Sequence, residues 1–495
     1  MGRARRFGHR EFGCGPRGFA VWLALALVQC VVGWAEPAPA QRAVVVVIDG
    51  CRPEYLELAP TPNLDALGSR GTRYAEAMVG HLVSDTPPGH ATLVTGLLPR
   101  SHGIVAHEWI DRNTGKKVSI TGLKAAADGN LLRVYPERGI ASLSTLVKRL
   151  DPRAYVAAVT CGKYYAAMLM GGPDADEIVY FPPDSSLDQG PVGDARDWTI
   201  LDTSAVTAAI DIVKAKRPKL LLINLPDTDR MGHFTGGVTA PDVMSVVAAN
   251  VDTQIGRLVA AYRENGMYDE TVFCIVADHG QLPSRHVVHP RAIWDIMRRL
   301  RVSGEMTHEH LWLSDPTKTE ALAFALADGA VPGAKAVYYR PGGDPNAPYR
   351  LAPGPTPDPA FDTACQFLLS TYAGPQGPDV VFVLPEDTVI GSSDPNRPFG
   401  VHTGLTWHAQ HIPMVWAGPG IAGGVVSSAP ATLADVTPTL CRLLGLRGGP
   451  FDGVVLNDAL AEGSAADATN QDRATSLLGP VRDALKKASQ AEAPE

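Results

Sequence analysis

Residues 43–50, AVVVVIDG, decide the fold. Six consecutive apolar residues, four of them valine, run into an aspartate and a glycine. A continuous β-branched run of this length reads as a strand buried on both faces, the kind found inside a parallel sheet. Five further runs share its character: YVAAVT (155–160), KLLLINL (219–225), TVFCIVA (271–277), DVVFVL (379–384) and IPMVWA (412–417). Helical stretches alternate with them, as in TPNLDALGSRG, where Thr61 stands as N-cap and Pro62 takes the first helical position. The alternation predicts an α/β fold with a doubly wound, largely parallel sheet. Ligands of such sheets sit beyond the carboxyl ends of the strands.

The remainder of the chain fits that frame. Its 495 residues are 45% hydrophobic and 19% charged, ample for a large core, and a net charge of −8 argues against a nucleic-acid scaffold. The charge leaves a small phosphate ester open as substrate. Residues 1–40 read as a signal peptide: five arginines precede FAVWLALALVQCVVGWA, and Ala38-Pro39-Ala40 offers a cleavage site. The expected product is exported, periplasmic or secreted, with no stable membrane span after cleavage; Leu27-Val28-Gln29-Cys30 is a poor lipoprotein box. Cys51, Cys161, Cys274, Cys365 and Cys441 follow the leader without C-x-x-C spacing, which opposes a disulfide framework or a zinc finger. Residues 41–457 are read as one catalytic domain carrying a turn-rich insertion at about 282–400. Residues 458–495 are read as a surface tail whose helix breaks at Pro480.

Three of the runs end in acids or histidines: Asp49 after VVVVI, Asp229 and His233 in LLLINLPDTDRMGH, Asp278 and His279 in FCIVADHG. Taken singly, Asp49 reads as a turn cap, Asp229 as a helix cap and His279 as a core histidine. Together, at the ends of strands in one sheet, they point to compensating cations, two rather than one. Carboxylate oxygens mixed with imidazole nitrogens suit zinc or a similar divalent metal. DTPPGHATLVTG (85–96) adds a threonine before a helix expected to begin near Gly89, whose free N–H groups would face an anion.

The ordered set Ile48-Asp49-Gly50, TPNLDAL, TPPGHATLVTGLLPRSHGI, DRMGH and ADHG, spread over about 43–445, resembles the alkaline phosphatase superfamily. Within it, the likeness is to the type I phosphodiesterase/nucleotide pyrophosphatase branch and the phosphate-irrepressible alkaline phosphatases. The resemblance implies two divalent metal ions, most often Zn2+, and Thr86 as a nucleophile passing through a phosphothreonine. One ion would be held by Asp229, His233 and a late histidine, the other by Asp49, Asp278 and His279 with Thr86. His402 is chosen as the late histidine because it precedes Pro413 by eleven residues, as the family pattern has it; His408 is the alternative, with His411 the third histidine of that stretch. Lys163 corresponds to a phosphoryl-binding lysine, and its plain reading is a surface lysine in a strand-to-helix turn. His107 stands where the pattern has asparagine and Tyr165 where it has arginine, so the preference between monoester and diester stays open. The expected activity is zinc-dependent hydrolysis of small-molecule phosphate mono- or diesters. The alternatives are a sulfatase or phosphonate hydrolase of the same superfamily, and a degenerate relative that binds a phospho-ligand without turning it over. Thr86 opposes the sulfatase reading, since that chemistry needs a modified Cys or Ser.

Overall fold

β1 (Arg42–Ile48) is buried from Ala43 onward and is sandwiched between two parallel neighbours. A strand with a partner on each edge and helices on each face can be apolar at every position, and from Ala43 onward this one is. The computed structural model describes residues 40–120, 130–181, 198–329, 331–391, 399–402 and 404–491; the leader up to residue 39 lies outside them.

In chain order β1 is followed by β2 (Thr72–Met78), β3 (Val156–Cys161), β4 (Glu177–Phe181), β5 (Leu220–Leu225) and β6 (Thr271–Val276). Next come β7 (Gly304–Thr307), β8 (His310–Leu313), β9 (Ala336–Tyr339), β10 (Arg350–Leu351) and β11 (Val380–Val383). The series closes with β12 (His411–Ala417) and β13 (Val425–Ser427). The helices that matter below are α1 (Thr86–Thr95), α2 (Tyr164–Gly171), α3 (Asp227–Thr235) and α4 (Ala465–Gln490). The main sheet has eight strands in the order β13-β2-β12-β6-β1-β5-β3-β4. It is mostly parallel; β12 alone runs against its two neighbours.

The register fixes where the chemistry can be. Ile48 pairs with Leu225 and Val47 with Val276, so β6, β1 and β5 end side by side. The residues that follow these ends, Asp49, Asp227 to Asp229 and Asp278, therefore emerge at one edge of the sheet.

Three features differ from the sequence reading. DVVFVL supplies β11, which lies outside the main sheet. The edge partner β2, with the sequence TRYAEAM, carries no continuous apolar run and gave no signal. The turn-rich stretch at about 282–400 holds a five-stranded sheet of order β7-β8-β11-β9-β10, with antiparallel pairings throughout. This cap sheet owns a separate apolar cluster that includes Leu311, Leu313, Leu322, Val337, Val380 and Phe382. Its strands are two to four residues long, below the length at which periodicity is legible.

α4 runs unbroken through Pro480 and buries Leu478, Val481 and Leu485. The five described cysteines are free and buried. Among the described residues, no helix is long and apolar enough to cross a membrane.

Candidate functional site

Two groups of metal-type donors form where β6, β1 and β5 end. Asp49, Asp278 and His279 make one, and Asp229, His233 and His402 the other; within each, the donor atoms lie within 4.8 Å of one another. Asp85, His279 and His402 form a third grouping that overlaps both.

The histidines are oriented for this. His279 Nδ1 is 2.9 Å from Gly280 O, His233 Nδ1 2.8 Å from Gly400 O, and His402 Nδ1 3.0 Å from Ser84 O. A carbonyl only accepts, so each Nδ1 carries a proton and each Nε2 is the atom turned to the site. That division of labour is how proteins prepare imidazoles for a cation. His408 instead pairs with Glu386 at 2.8 Å, and His411 stacks on Trp407 at 4.4 Å.

Thr86 is the first residue of α1 and is 1% exposed. Its Oγ1 lies 3.5 Å from Asp49 Oδ1, 3.3 Å from His279 Nε2 and 3.2 Å from Lys163 Nζ. The helix thus begins three residues before the expected Gly89, and the expected anion cradle of N–H groups is missing. Pro87 and Pro88 have no N–H, Thr86 N–H donates to the Asp85 carboxylate at 2.8 Å, and Gly89 N–H donates to Asp85 O at 2.9 Å. The first turn has spent every donor it owns. What remains is the positive end of the helix dipole, with a hydroxyl placed on it.

Lys163, just before α2, reaches both donor groups: Nζ is 2.7 Å from Asp49 Oδ1 and 2.6 Å from Asp229 Oδ2. Burial works against its charge, yet Asp229 and Asp49 hold its pKa well above the ordinary lysine value. Burial pushes Asp49 up, to about 6, with Asp278 adding and Lys163 opposing.

Behind these residues stands a layer the sequence reading missed. His90 Nδ1 donates to Thr86 O at 2.9 Å and lies 3.3 Å from Asp278 Oδ2, while Nε2 faces Asn224 Oδ1 at 3.2 Å. Both nitrogens meet acceptors. Despite burial, Asp278 raises the pKa of this histidine, so an imidazolium fits here. Asn224 Nδ2 in turn donates to Asp49 Oδ2 at 3.0 Å, and Gln281 Nε2 to Asp229 Oδ1 at 3.1 Å. A histidine on a buried helix face and an asparagine within a strand look like ordinary core positions in a sequence; only the three-dimensional pairing reveals them.

Four carboxylates (Asp49, Asp85, Asp229 and Asp278) are buried together, and Oδ2 of both Asp85 and Asp278 accepts no hydrogen bond. Lys163 and His90 cannot neutralise this set alone. Oxygens lacking donors, beside three imidazoles whose Nε2 atoms face the site, fit divalent cations.

One wall of the site is neutral. His107 Nε2 lies 3.4 Å from Asp85 Oδ1, and its ring meets Tyr165 edge-on at 5.4 Å. Burial lowers the His107 pKa and raises that of Tyr165, whose hydroxyl is near enough to feel Lys163, Asp49 and Asp85.

Residues 43–345 match the family model "Type I phosphodiesterase / nucleotide pyrophosphatase". An uncharacterised pyrophosphatase/phosphodiesterase of Schizosaccharomyces pombe is 27% identical over 271 residues, which cover 54% of this chain and 50% of that protein. The matched region therefore spans about half the length of that relative. Alkaline phosphatase PhoD of Zymomonas mobilis is 23% identical over 78% of this chain and 82% of its own. In architecture, the crystal structure of alkaline phosphatase PafA superposes with a TM-score of 0.66 at 14% identity, covering 86% of this chain and 100% of that one. With a family model matching well over half its length, the chain belongs to the type I phosphodiesterase/nucleotide pyrophosphatase family.

Proposed function

We propose that this protein is a metal-dependent phosphoester hydrolase that works through a phosphothreonine on Thr86. The observation that carries the reading is the Thr86 hydroxyl, fixed at the start of α1 between Asp49, His279 and Lys163, with a second donor group adjacent. Asp49, Asp278 and His279 would hold one divalent ion with Thr86, and Asp229, His233 and His402 the other. Zinc suits this mixture of carboxylate and imidazole. When bound, two such ions supply Lewis-acid stabilisation of charge at the phosphorus centre.

The chain's own groups do the rest. Lys163 donates to the Thr86 oxygen and favours its anionic form, and Asp49 accepts the hydroxyl hydrogen bond. Attack forms the Oγ–P bond and breaks the ester P–O bond, releasing the alcohol. Water then displaces Thr86 from phosphorus and restores the hydroxyl. His90, Asn224 and Gln281 hold the carboxylates in place.

Between esters, the neutral His107–Tyr165 wall favours a phosphoryl group with one negative charge. A monoester brings a second charge that Lys163 alone has to meet among the protein's side chains. We therefore read diesters as the preferred class, with monoesters as slower substrates. The leader composition supports an exported protein, periplasmic or secreted.

The test is a rate comparison of phenyl phosphate, bis(p-nitrophenyl) phosphate and an aryl sulfate with zinc-loaded protein. Thr86→Ala is expected to lose at least about three orders of magnitude while keeping its fold and metal content. Full turnover in that variant overturns the nucleophile. Sulfate hydrolysis that outruns both phosphates overturns the class.

A further inference from the structure

The cap sheet sends one side chain back to the site. β7 and β8 are joined by the two-residue loop His308-Glu309, and Thr307 pairs with His310 across it. His308 has φ +52°, in the left-handed region, at the first position of a two-residue hairpin loop, where glycine is the ordinary occupant. Arg217 and Arg301 are the other described non-glycine residues with positive φ, and both lie away from the site just after helices.

The strained loop is pinned from both sides. Thr307 Oγ1 donates to Glu108 O at 3.0 Å, and Glu309 O accepts from Phe382 N at 2.9 Å. So held, the His308 ring lies 6.1 Å from the His402 ring, and it is near enough to influence Asp85 and His107. It is only partly buried. Strain that the surroundings over-determine, beside a reacting centre, marks a residue retained for its contact.

The direction of that contact follows from the displacement. Thr86 sits with Asp49 and His279, and an in-line attack expels the leaving group on the far side of phosphorus. With phosphorus held between the two donor groups, that side is the Asp229–His233–His402 group, and His308 stands beside its His402. We infer that His308 is a specificity residue, presented by the cap hairpin, that hydrogen-bonds polar atoms of the leaving group close to the scissile ester. The inference rests on the hydrolase reading above. It selects leaving groups with hydroxyls near the ester, such as sugars and polyols, over plain aryl groups.

The experiment compares kcat/KM for a dinucleoside monophosphate, which offers ribose hydroxyls on both sides of phosphorus, with that for bis(p-nitrophenyl) phosphate. His308→Gly and His308→Ala are both measured in the zinc-loaded full chain. The dinucleoside value is expected to fall about tenfold further than the aryl value in each variant, the worth of one hydrogen bond. The glycine variant is expected to melt above the alanine variant, because only glycine occupies this φ without strain. Equal losses on the two diesters, or none, overturn the assignment, whichever variant melts higher. Thr86→Ala serves as the separate control: turnover surviving there strikes the phosphothreonine reading, whereas its loss beside an unchanged His308 selectivity strikes His308 alone.

Discussion

Tyr165 stands beside Lys163 with a hydroxyl that stays protonated, and His107 meets it edge-on with burial keeping the imidazole neutral. On the hydrolase reading, this leaves Lys163 as the one full positive charge at that wall where a dianion calls for two. Replacing Tyr165 with arginine places a second cation at that wall. The Tyr165→Arg variant is expected to raise the monoester-to-diester ratio of kcat/KM by about tenfold or more, checked on phenyl phosphate against bis(p-nitrophenyl) phosphate. At this scale the sequence was informative wherever a residue ended a strand. Asp49, Asp229, Asp278 and His279 announced themselves because a charge after a buried apolar run needs a reason. His90, Asn224 and Gln281 did not, since their roles consist of partners far away in the chain. His308 was hidden for a related cause: its importance lies in a backbone angle and a cap contact that no residue type encodes.

At the scale of elements, β1, β5 and β6 were legible from their largely apolar runs, and β11 shows the limit of that signal. Its run is just as apolar, but it serves a different sheet, because an apolar strand records burial and not its partners. Helix α4 is the opposite case. Pro480 read as a break, yet the helix passes through it on an exposed position while Leu478, Val481 and Leu485 hold the other face against the protein. Pro480 removes one helical hydrogen bond, and tertiary packing outweighs that loss. Pro480→Ala is therefore expected to stabilise the protein, by about 1–3 kcal/mol once the greater freedom of the unfolded chain is allowed for. The midpoint of urea denaturation checks it; an unchanged or lower midpoint would mean the proline fits the helix without penalty.

Across the whole molecule, the predominantly parallel sheet was readable, and the cap was not, because its short strands are spaced by Gly- and Pro-rich turns. The cap nonetheless carries one of several deeply buried histidines whose pKa burial depresses. Burial lowers the pKa of both His310 and His81 to about 3. With the folded value depressed, the unfolded chain binds the extra proton between pH 3 and about 6.5. The stability each contributes is complete above about 6.5 and is lost as the pH falls toward 3. His310→Leu should be acid-tolerant relative to the native chain, gaining on it by about 1.4 kcal/mol per pH unit below 6.5. Denaturation midpoints at pH 7, 6 and 5 test the slope; parallel curves would show that His310 is already protonated in the fold. A second whole-molecule effect concerns the carboxylates. Chelation is expected to abolish turnover and lower the melting temperature together, with zinc restoring both, because four buried acids are then opposed by Lys163 and His90 alone.

The proline pair in the first turn of α1 sets an order of events. A helix end with free N–H groups captures phosphate by itself, whether or not anything else is bound. Here Asp85 has taken one donor, a main-chain carbonyl another, and Pro87 and Pro88 never had theirs. On the hydrolase reading, the metal-free entrance is an acidic hollow that repels anions. An order follows from it: cations load first and substrate second, so chelated protein is expected to bind no inorganic phosphate.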